Sequence, residues 1–409
     1  RGDMSYSSGV HVYSEIGPLR RVMLHRPHRE LENVTPLNMS KLLFDDIPEA
    51  GLAAEEHDLF AQTLRDCGSE VIYIENLLTE LLLDATRRED FLKLFLLEAE
   101  VYSERCPYLL EYLMSLEIKQ LIEVIYSGLR REEFSMNSFH LADNDYADLF
   151  WFDPIPNAFF MRDPMTVIGN GVAVNCMWSK TRQREAMILD YLHRHHPMFS
   201  STATYYDRNE NVYIEGGDVL VLSNEVIMIG VSQRTEATGA EILARNLIRD
   251  PNNSITHALV FMIPRKRAFM HLDTVFTMVD RDIFTVHPEI LNNIEIYDIS
   301  LSESSETQIK SYGKDINKAL TELLHLPEVE LVHCGGASMI DSRREQWGDG
   351  ANTLTVAPGE VIVYERNRIT NRLLREAGVT VHEIRSSELS RGRGGPRCMS
   401  MPLWRDDIV

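Results

Sequence analysis

The sequence predicts an α/β protein: a fivefold pseudo-symmetric α/β propeller of ββαβ units with an inserted α-helical bundle. Three observations lead there. A unit of two strands, a helix and a further strand recurs along the chain, and a repeated unit that cannot bury its apolar face alone is stabilised by neighbouring copies. Tight-turn residues separate the paired apolar runs, as hairpins require. A stretch of different texture, 75–150, rich in Leu and Glu with helical apolar spacing, interrupts the series. Five units arranged radially would close into a ring whose axis faces a common pocket.

The elements follow in order. A hairpin-like start, His11-Val12-Tyr13 with Arg21-Val22-Met23-Leu24, leads to a helix over Ala53 to Arg65 and a strand over Glu70 to Ile74. Within 75–150, pairs such as Phe91/Phe95 and Leu121/Ile125/Leu129 predict helices. The expected division is therefore 1–74 as the first unit, 75–150 as the bundle, and 151–409 as the remaining units. The second unit reads as strands Met165 to Ile168 and Val172 to Val174 about Gly169-Asn170-Gly171, a helix over Thr181 to Arg194, and a strand near Ala203 to Tyr206. The third has Val219 to Leu222, Val226 to Ile229, a helix over Glu236 to Ile248 and a strand at Ala258 to Ile263. In the fourth, Thr274 to Met278 and Ile283 to Val286 precede a helix near Gln308 to Leu324 and a strand at Val329 to Val332. The fifth turns at Pro358-Gly359 between Thr353 to Val356 and Val361 to Val363, then continues as a helix over Asn367 to Ala377 and a strand at Val379 to Ile384.

Composition narrows the function. With 44% apolar and 25% charged residues over 409 positions, the chain is that of a folded globular protein. A net charge of -21 repels nucleic acid and anionic membranes, and mildly favours a cationic small molecule. No apolar run approaches the roughly 20 residues of a membrane span, and Arg1-Gly2-Asp3-Met4-Ser5 lacks the apolar core of a signal peptide, so a cytoplasmic protein is expected. Arg1-Gly2-Asp3 spells an adhesion tripeptide but stands ahead of Met4, and no function is assigned to it. Five widely separated Cys with no Cys-x-x-Cys pair point to free thiols in a reducing compartment, not to a zinc ribbon.

The chemistry concentrates near Arg391-Gly392-Arg393-Gly394-Gly395-Pro396-Arg397-Cys398. Glycines let the backbone approach a ligand, and Arg393 and Arg397 flank a thiol in a manner that favours the thiolate. Polar clusters precede three successive hairpins: Asn157 to Pro164, Glu215-Gly216-Gly217-Asp218 and Met270-His271-Leu272-Asp273. In a radial repeat these positions meet at the axis. Cys398, His271, Glu215, Asp163 and Asp273 then surround a site with acids, a thiol and an imidazole, a set suited to a planar cation such as a guanidinium. The same carboxylates oppose thiolate formation. A zinc hydrolase built from His271, Asp273, Glu215 and Cys398, and a non-catalytic binding propeller, are the rival readings.

With these motifs in hand, the chain resembles the arginine deiminases of the guanidine-modifying superfamily. The resemblance is carried by His11-Val-Tyr-Ser-Glu-Ile-Gly17, Phe160-Met-Arg-Asp-Pro164, Ile214-Glu-Gly-Gly-Asp218, Gly230-Val-Ser-Gln-Arg-Thr235, Met270-His-Leu-Asp-Thr274 and Arg397-Cys-Met-Ser-Met-Pro402. It implies hydrolysis of L-arginine to citrulline and ammonia with no metal or organic cofactor, Cys398 as nucleophile, and His271 as general acid and base. It further implies Asp163 and Asp273 as guanidinium carboxylates, Glu215 as partner of His271, and Arg182, Arg234 and Arg393 as holders of the substrate carboxylate. Asn157 and Phe160 line the pocket in this reading. Arg184, two positions beyond Arg182, would exchange roles with it under a local shift, and Met161 departs from the Thr common among relatives. Agmatine deiminases and arginine amidinotransferases share the guanidinium chemistry. Beyond the small-molecule substrate, with neither nucleic acid nor membrane as partner, self-association into a homo-oligomer is expected.

Overall fold

The structure is a computed structural model that describes residues 9–136 and 148–408. The Arg1-Gly2-Asp3 tripeptide lies outside the described residues, as does part of the 75–150 stretch. Strand β1 (Leu19–Leu24), helix α1 (Ala50–Asp66) and strand β2 (Glu70–Tyr73) come first, with β1 and β2 parallel. Glu49 caps α1 by accepting from the Gly51 and Leu52 backbone N–H groups. Helices α2 (Ile74–Leu82), α3 (Ala85–Glu98), α4 (Cys106–Ser115) and α5 (Ile118–Ser127) follow, then the short antiparallel pair β3 (Leu129–Arg130) and β4 (Phe150–Phe152). The spacing that predicts these helices is the buried face itself: Phe91, Phe95, Leu121 and Ile125 are all inaccessible.

The repeated unit then becomes explicit. β5 (Met165–Ile168) and β6 (Gly171–Val174) form an antiparallel hairpin, α6 (Lys180–His195) crosses over, and β7 (Ala203–Tyr206) returns parallel to β6. β8 (Val219–Val221), β9 (Val226–Val231), α7 (Ala237–Ile248) and β10 (His257–Met262) repeat the pattern. Strands β11 (Phe276–Met278) and β12 (Ile283–Val286) pair likewise; β13 (Glu295–Leu301), β14 (Thr307–Gly313) and α8 (Ile316–Leu323) intervene before β15 (Glu330–His333) lies parallel to β12. After α9 (Met339–Trp347), β16 (Leu354–Ala357), β17 (Glu360–Tyr364), α10 (Arg368–Glu376) and β18 (Thr380–Ile384) give a further copy. The copy begun by β1 and β2 is completed by β19 (Met401–Arg405), antiparallel to β1.

Three expectations are corrected. The partner of β1 is not His11-Val12-Tyr13, which makes only isolated bridges to Trp404 and Gly169, but β19 from the far end of the chain. The helix expected from Gln308 begins only at Ile316, because Thr307–Gly313 pairs as an exposed outer strand with β13, which in turn extends the β8–β9–β10 sheet. Helix α9 lies in a stretch where no helix is expected.

Burial is graded across the units. β5, β8 and β11 are buried at every position, whereas β2, β7, β15 and β18 are largely exposed or half-buried. β10 departs from the trend because β13 covers its outer edge. The hairpin strands thus lie deeper than the strand after the helix, and the residues just before the first strand of each unit are delivered to the interior: Asp163 before β5, Glu215 before β8, His271 and Asp273 before β11, Asn352 before β16, and Cys398 before β19. Among the described residues, no helix is long and apolar enough to cross a membrane.

Candidate active site

Those deep chain segments meet at one enclosed pocket. It is lined by Asn157, Phe160, Asp163, Arg182, Arg234, His271, Arg393 and Cys398, all named by the sequence, together with Leu43, Met270 and Gly392. Its free volume of about 10 Å³ is that of about one water molecule. Asp273 and Glu215 stand immediately behind this lining, against Cys398 and His271 respectively.

Cys398 sits at the end of the glycine-rich loop. A Cβ at Gly394 would lie 2.4 Å from the Phe160 ring and 3.0 Å from the Cys398 Cβ, so only glycine lets the loop close over the ring. The Cys398 N–H donates to Asn352 Oδ1 at 3.0 Å, and its Sγ is 3.6 Å and 3.9 Å from the Asp273 carboxylate oxygens. Burial first, then Asp273, Asp163 and Asp349, push the thiol well above its usual range. The thiolate-favouring role expected of the flanking arginines is thus not realised in this state. Arg397 is committed to Glu15 and Asp273, and the Arg393 guanidinium lies over the Trp347 ring, 3.2 Å from its centroid, donating to the Trp347 carbonyl.

His271 Nε2 lies 3.1 Å from Glu215 Oε2 and 3.8 Å from Asp163 Oδ1. Burial alone would depress the imidazole, but Asp163, Glu215 and Asp218 outweigh it and hold its pKa up at about 9. His271 is accordingly an imidazolium at neutral pH. Gly217 makes this approach possible, since a Cβ there would meet the His271 ring at 2.8 Å. Asp163 accepts from Arg182 Nη1 at 2.7 Å and from the Gly217 N–H at 2.9 Å. Burial raises its pKa, but His271, Arg182 and Arg234 prevail and keep it low.

The predicted arginines differ in what they have left to give. Arg182 is engaged by Asp163, by Glu185 at 2.9 Å and by the Phe160 carbonyl at 3.0 Å. Arg184 is turned away over the Phe95 ring and does not line the pocket. Arg234 is buried, 3.9 Å from Glu215, with its Nε unpartnered, and the Nε of Arg393 is unpartnered as well. Asn157 Nδ2 donates to the Leu42 carbonyl at 2.7 Å, tying the pocket wall to the segment that carries Leu43. The zinc set does not gather: among the described residues, the group of three or more His/Cys/Asp/Glu ligand atoms lying within 4.8 Å of one another is Cys67, Glu360 and His382, outside this pocket.

Sequence reasoning passed over three residues. Asn352 ties the backbone of the nucleophile to that of Asp273, donating from Nδ2 to the Asp273 backbone carbonyl at 2.9 Å while accepting from the Cys398 N–H. Asp218 accepts from the Leu272 N–H and from the Ser232 and Thr235 hydroxyls beneath His271, and burial lifts its pKa to about 7. Asp349, also lifted to about 7 by burial, keeps both carboxylate oxygens unpartnered beside Arg393. Asn352 and Asp349 precede β16 as the recognised clusters precede β5, β8 and β11, so the repeat itself was the signal.

Comparison with known proteins places these features. Residues 40–405 match the family model for arginine deiminase. The chain is 45% identical over 410 residues to the arginine deiminase of Lactococcus lactis subsp. lactis, covering 98% of this chain and all of that protein. It is 45% identical to that of Listeria monocytogenes serotype 4b, covering 99% of this chain and all of the relative. Among solved structures, the product-bound N-terminal domain of a cyanobacterial arginine dihydrolase aligns over 94% of this chain and 97% of its own with a TM-score of 0.55 at 14% identity. A dimethylarginine dimethylaminohydrolase adduct aligns over 94% and 99% with a TM-score of 0.51 at 14% identity, a likeness of mixed α/β fold.

Proposed function

The chain belongs to the arginine deiminase family, and from that premise we propose how its residues divide the work. The reaction is hydrolysis of the guanidinium of L-arginine to L-citrulline and ammonia. The observation that carries the assignment is the convergence of Cys398 Sγ, the Asp163 carboxylate and the His271 imidazolium on one buried pocket, with the Asp273 carboxylate against the thiol immediately behind its lining.

Asp163 and Asp273 hold the guanidinium N–H groups and fix its plane, so that sulfur meets the central carbon from the face. The incoming cation offsets the negative field that keeps Cys398 protonated, and as substrate arrives the thiol releases its proton through water to the solvent. Thiolate attack forms the C–S bond. His271 delivers its proton to the departing nitrogen, the C–N bond breaks, and ammonia leaves a thiouronium on Cys398. The now neutral His271 takes a proton from water, whose oxygen attacks the same carbon; the C–S bond breaks, the new hydroxyl passes its proton to the departing sulfur, and citrulline departs with Cys398 restored as the thiol. Glu215 keeps the imidazole charged and oriented. Arg234 and Arg393, with donors unspent, receive the substrate carboxylate, Arg182 joining them by exchanging one of its bonds to Asp163, Glu185 or Phe160, and this favours L-arginine over agmatine.

The same reading arranges the five units radially as a propeller, with 1–74 as the first unit, 75–150 as the helical insert and 151–409 as the rest. The inward-to-outward gradient of burial supports it. Exposed Leu83, Leu94, Leu97, Tyr102 and Tyr108 on the insert support self-association, and the free thiols suit a cytoplasmic setting. Acid-quenched enzyme incubated with L-arginine should release citrulline and ammonia and carry an adduct confined to the Cys398 peptide; an adduct on Cys334 would displace the nucleophile.

A further inference from the structure

The N-terminal motif His11 to Gly17 supplies no group to the reaction as written, yet its Glu15 is tied to the site. Glu15 Oε1 accepts from Arg397 Nε at 3.0 Å, and Oε2 accepts from the Val221 N–H at 3.0 Å. Arg397 Nη1 donates to Asp273 Oδ2 at 2.9 Å, and Nη2 donates to the Val219 carbonyl at 2.9 Å. One buried guanidinium thus spends three nitrogens on three chain segments. Its own backbone is clamped from behind, where Arg162 Nε donates to the Arg397 carbonyl at 3.1 Å and Nη2 to Ser400 Oγ at 3.3 Å.

We propose that Arg397 and Glu15 are positioning residues that fix the Asp273 carboxylate in the orientation in which it receives the substrate guanidinium beside Cys398. The inference rests on the reading of Asp273 given above. An aspartate carboxylate turns about a broad, roughly twofold torsion, so packing alone does not set its plane. The Arg397 bond to Oδ2 sets it, and the lone pairs not used there remain for the pocket. Glu15 is needed because a guanidinium facing Asp273 alone could follow the carboxylate as it turns; anchored at Nε, the planar fork cannot. A lysine has a single nitrogen and no fixed plane, so it cannot reproduce the three-way bridge.

The test reads ligand binding with the nucleophile removed. In Cys398→Ser protein, calorimetric dissociation constants are measured for L-arginine and, by competition, for L-norvaline, which has the amino-acid head without a guanidinium. Arg397→Lys should weaken arginine on the order of 100-fold and Glu15→Gln on the order of 10-fold, as expected when a buried charged hydrogen bond is lost, with norvaline unchanged for both. In an Asp273→Asn background the Arg397→Lys effect should fall below about threefold, since it acts through that carboxylate. Equal losses for both ligands, or an undiminished loss beside Asp273→Asn, would overturn the proposal. If Asp273→Asn alone leaves arginine binding intact, the reading of Asp273 falls and this inference with it. If Asp273→Asn weakens binding while neither Arg397→Lys nor Glu15→Gln does, the inference alone falls. Should Arg397→Lys fail to fold, Glu15→Gln carries the same comparison.

Discussion

Replacing Glu215 with glutamine keeps the shape of the side chain behind His271 and removes its charge. At the observed 3.1 Å and an effective dielectric of about 20, the charge pair is worth about 5 kcal/mol before the amide's own hydrogen bond to the ring is set against it. Opposite charges at such range typically move a pKa by about 1–3 units. Since the wild-type imidazolium titrates at about 9, the alkaline limb of kcat/KM for L-arginine should move in Glu215→Gln to somewhere between about 6 and 8. The sign follows from the role: His271 must be protonated to release ammonia, so activity disappears above its pKa, and that pKa falls when an anion is removed. Stability obeys the same sign. The interval between 6.5 and about 9, at 1.36 kcal/mol per unit, is worth about 3 kcal/mol to the folded state. That contribution is complete below about 6.5 and is lost as pH rises through 9. Initial rates of citrulline formation from pH 5 to 10, with chemical denaturation at pH 6 and 9.5, measure both. An alkaline limb within about 0.3 units of wild type would refute the argument, because it would mean that Glu215 does not set the charge of His271.

Cys398→Ser should fold normally and lose about a millionfold in turnover, as removal of a nucleophile does; substantial residual turnover would sink the assignment. Gly394→Ala should cost at least about 100-fold in kcat/KM, because the added Cβ, 2.4 Å from the Phe160 ring, must push apart the pocket wall and the nucleophile loop. Agmatine should be a very poor substrate; Arg234→Lys and Arg393→Lys should raise KM for arginine while changing any turnover of agmatine little, and comparable kcat/KM for the two substrates in wild-type protein would reverse the carboxylate assignment. Glu117→Ala, on an exposed position of the helical insert, should leave turnover within a few-fold and stability within about 0.5 kcal/mol, as melting and steady-state assays would show.

What could be read from the chain was local. The Gly169-Asn170-Gly171 turn and the apolar runs beside it mark a hairpin because turn chemistry and alternation are short-range properties, and β5 and β6 form there. Clusters ahead of β5, β8 and β11 were legible for the same reason. Strand β14 was not, since its polar, solvent-facing Thr307–Gly313 reads as a helix surface until β13 is there to pair with it. The partnership of β1 with β19 leaves no local trace either. The electrostatics were hardest: Arg397 beside Cys398 in sequence suggests a thiolate, but its guanidinium turns to Asp273 and Glu15, and the direction a long side chain takes is set by partners distant in sequence.

The pairing of β1 with β19 also bears on when the enzyme can come into being during synthesis. β19 leaves the ribosome after every other described strand, so β1 and β2 must wait with an unpaired edge while the rest of the chain is made. Such long-range pairing makes for slow folding. Because the loop bearing Cys398 is drawn into place by the same terminal strand, the nascent chain cannot hold its nucleophile against Asp273 before that strand docks. Ribosome-stalled chains ending short of Met401 would consequently be inert toward arginine, whatever the state of the four units already folded.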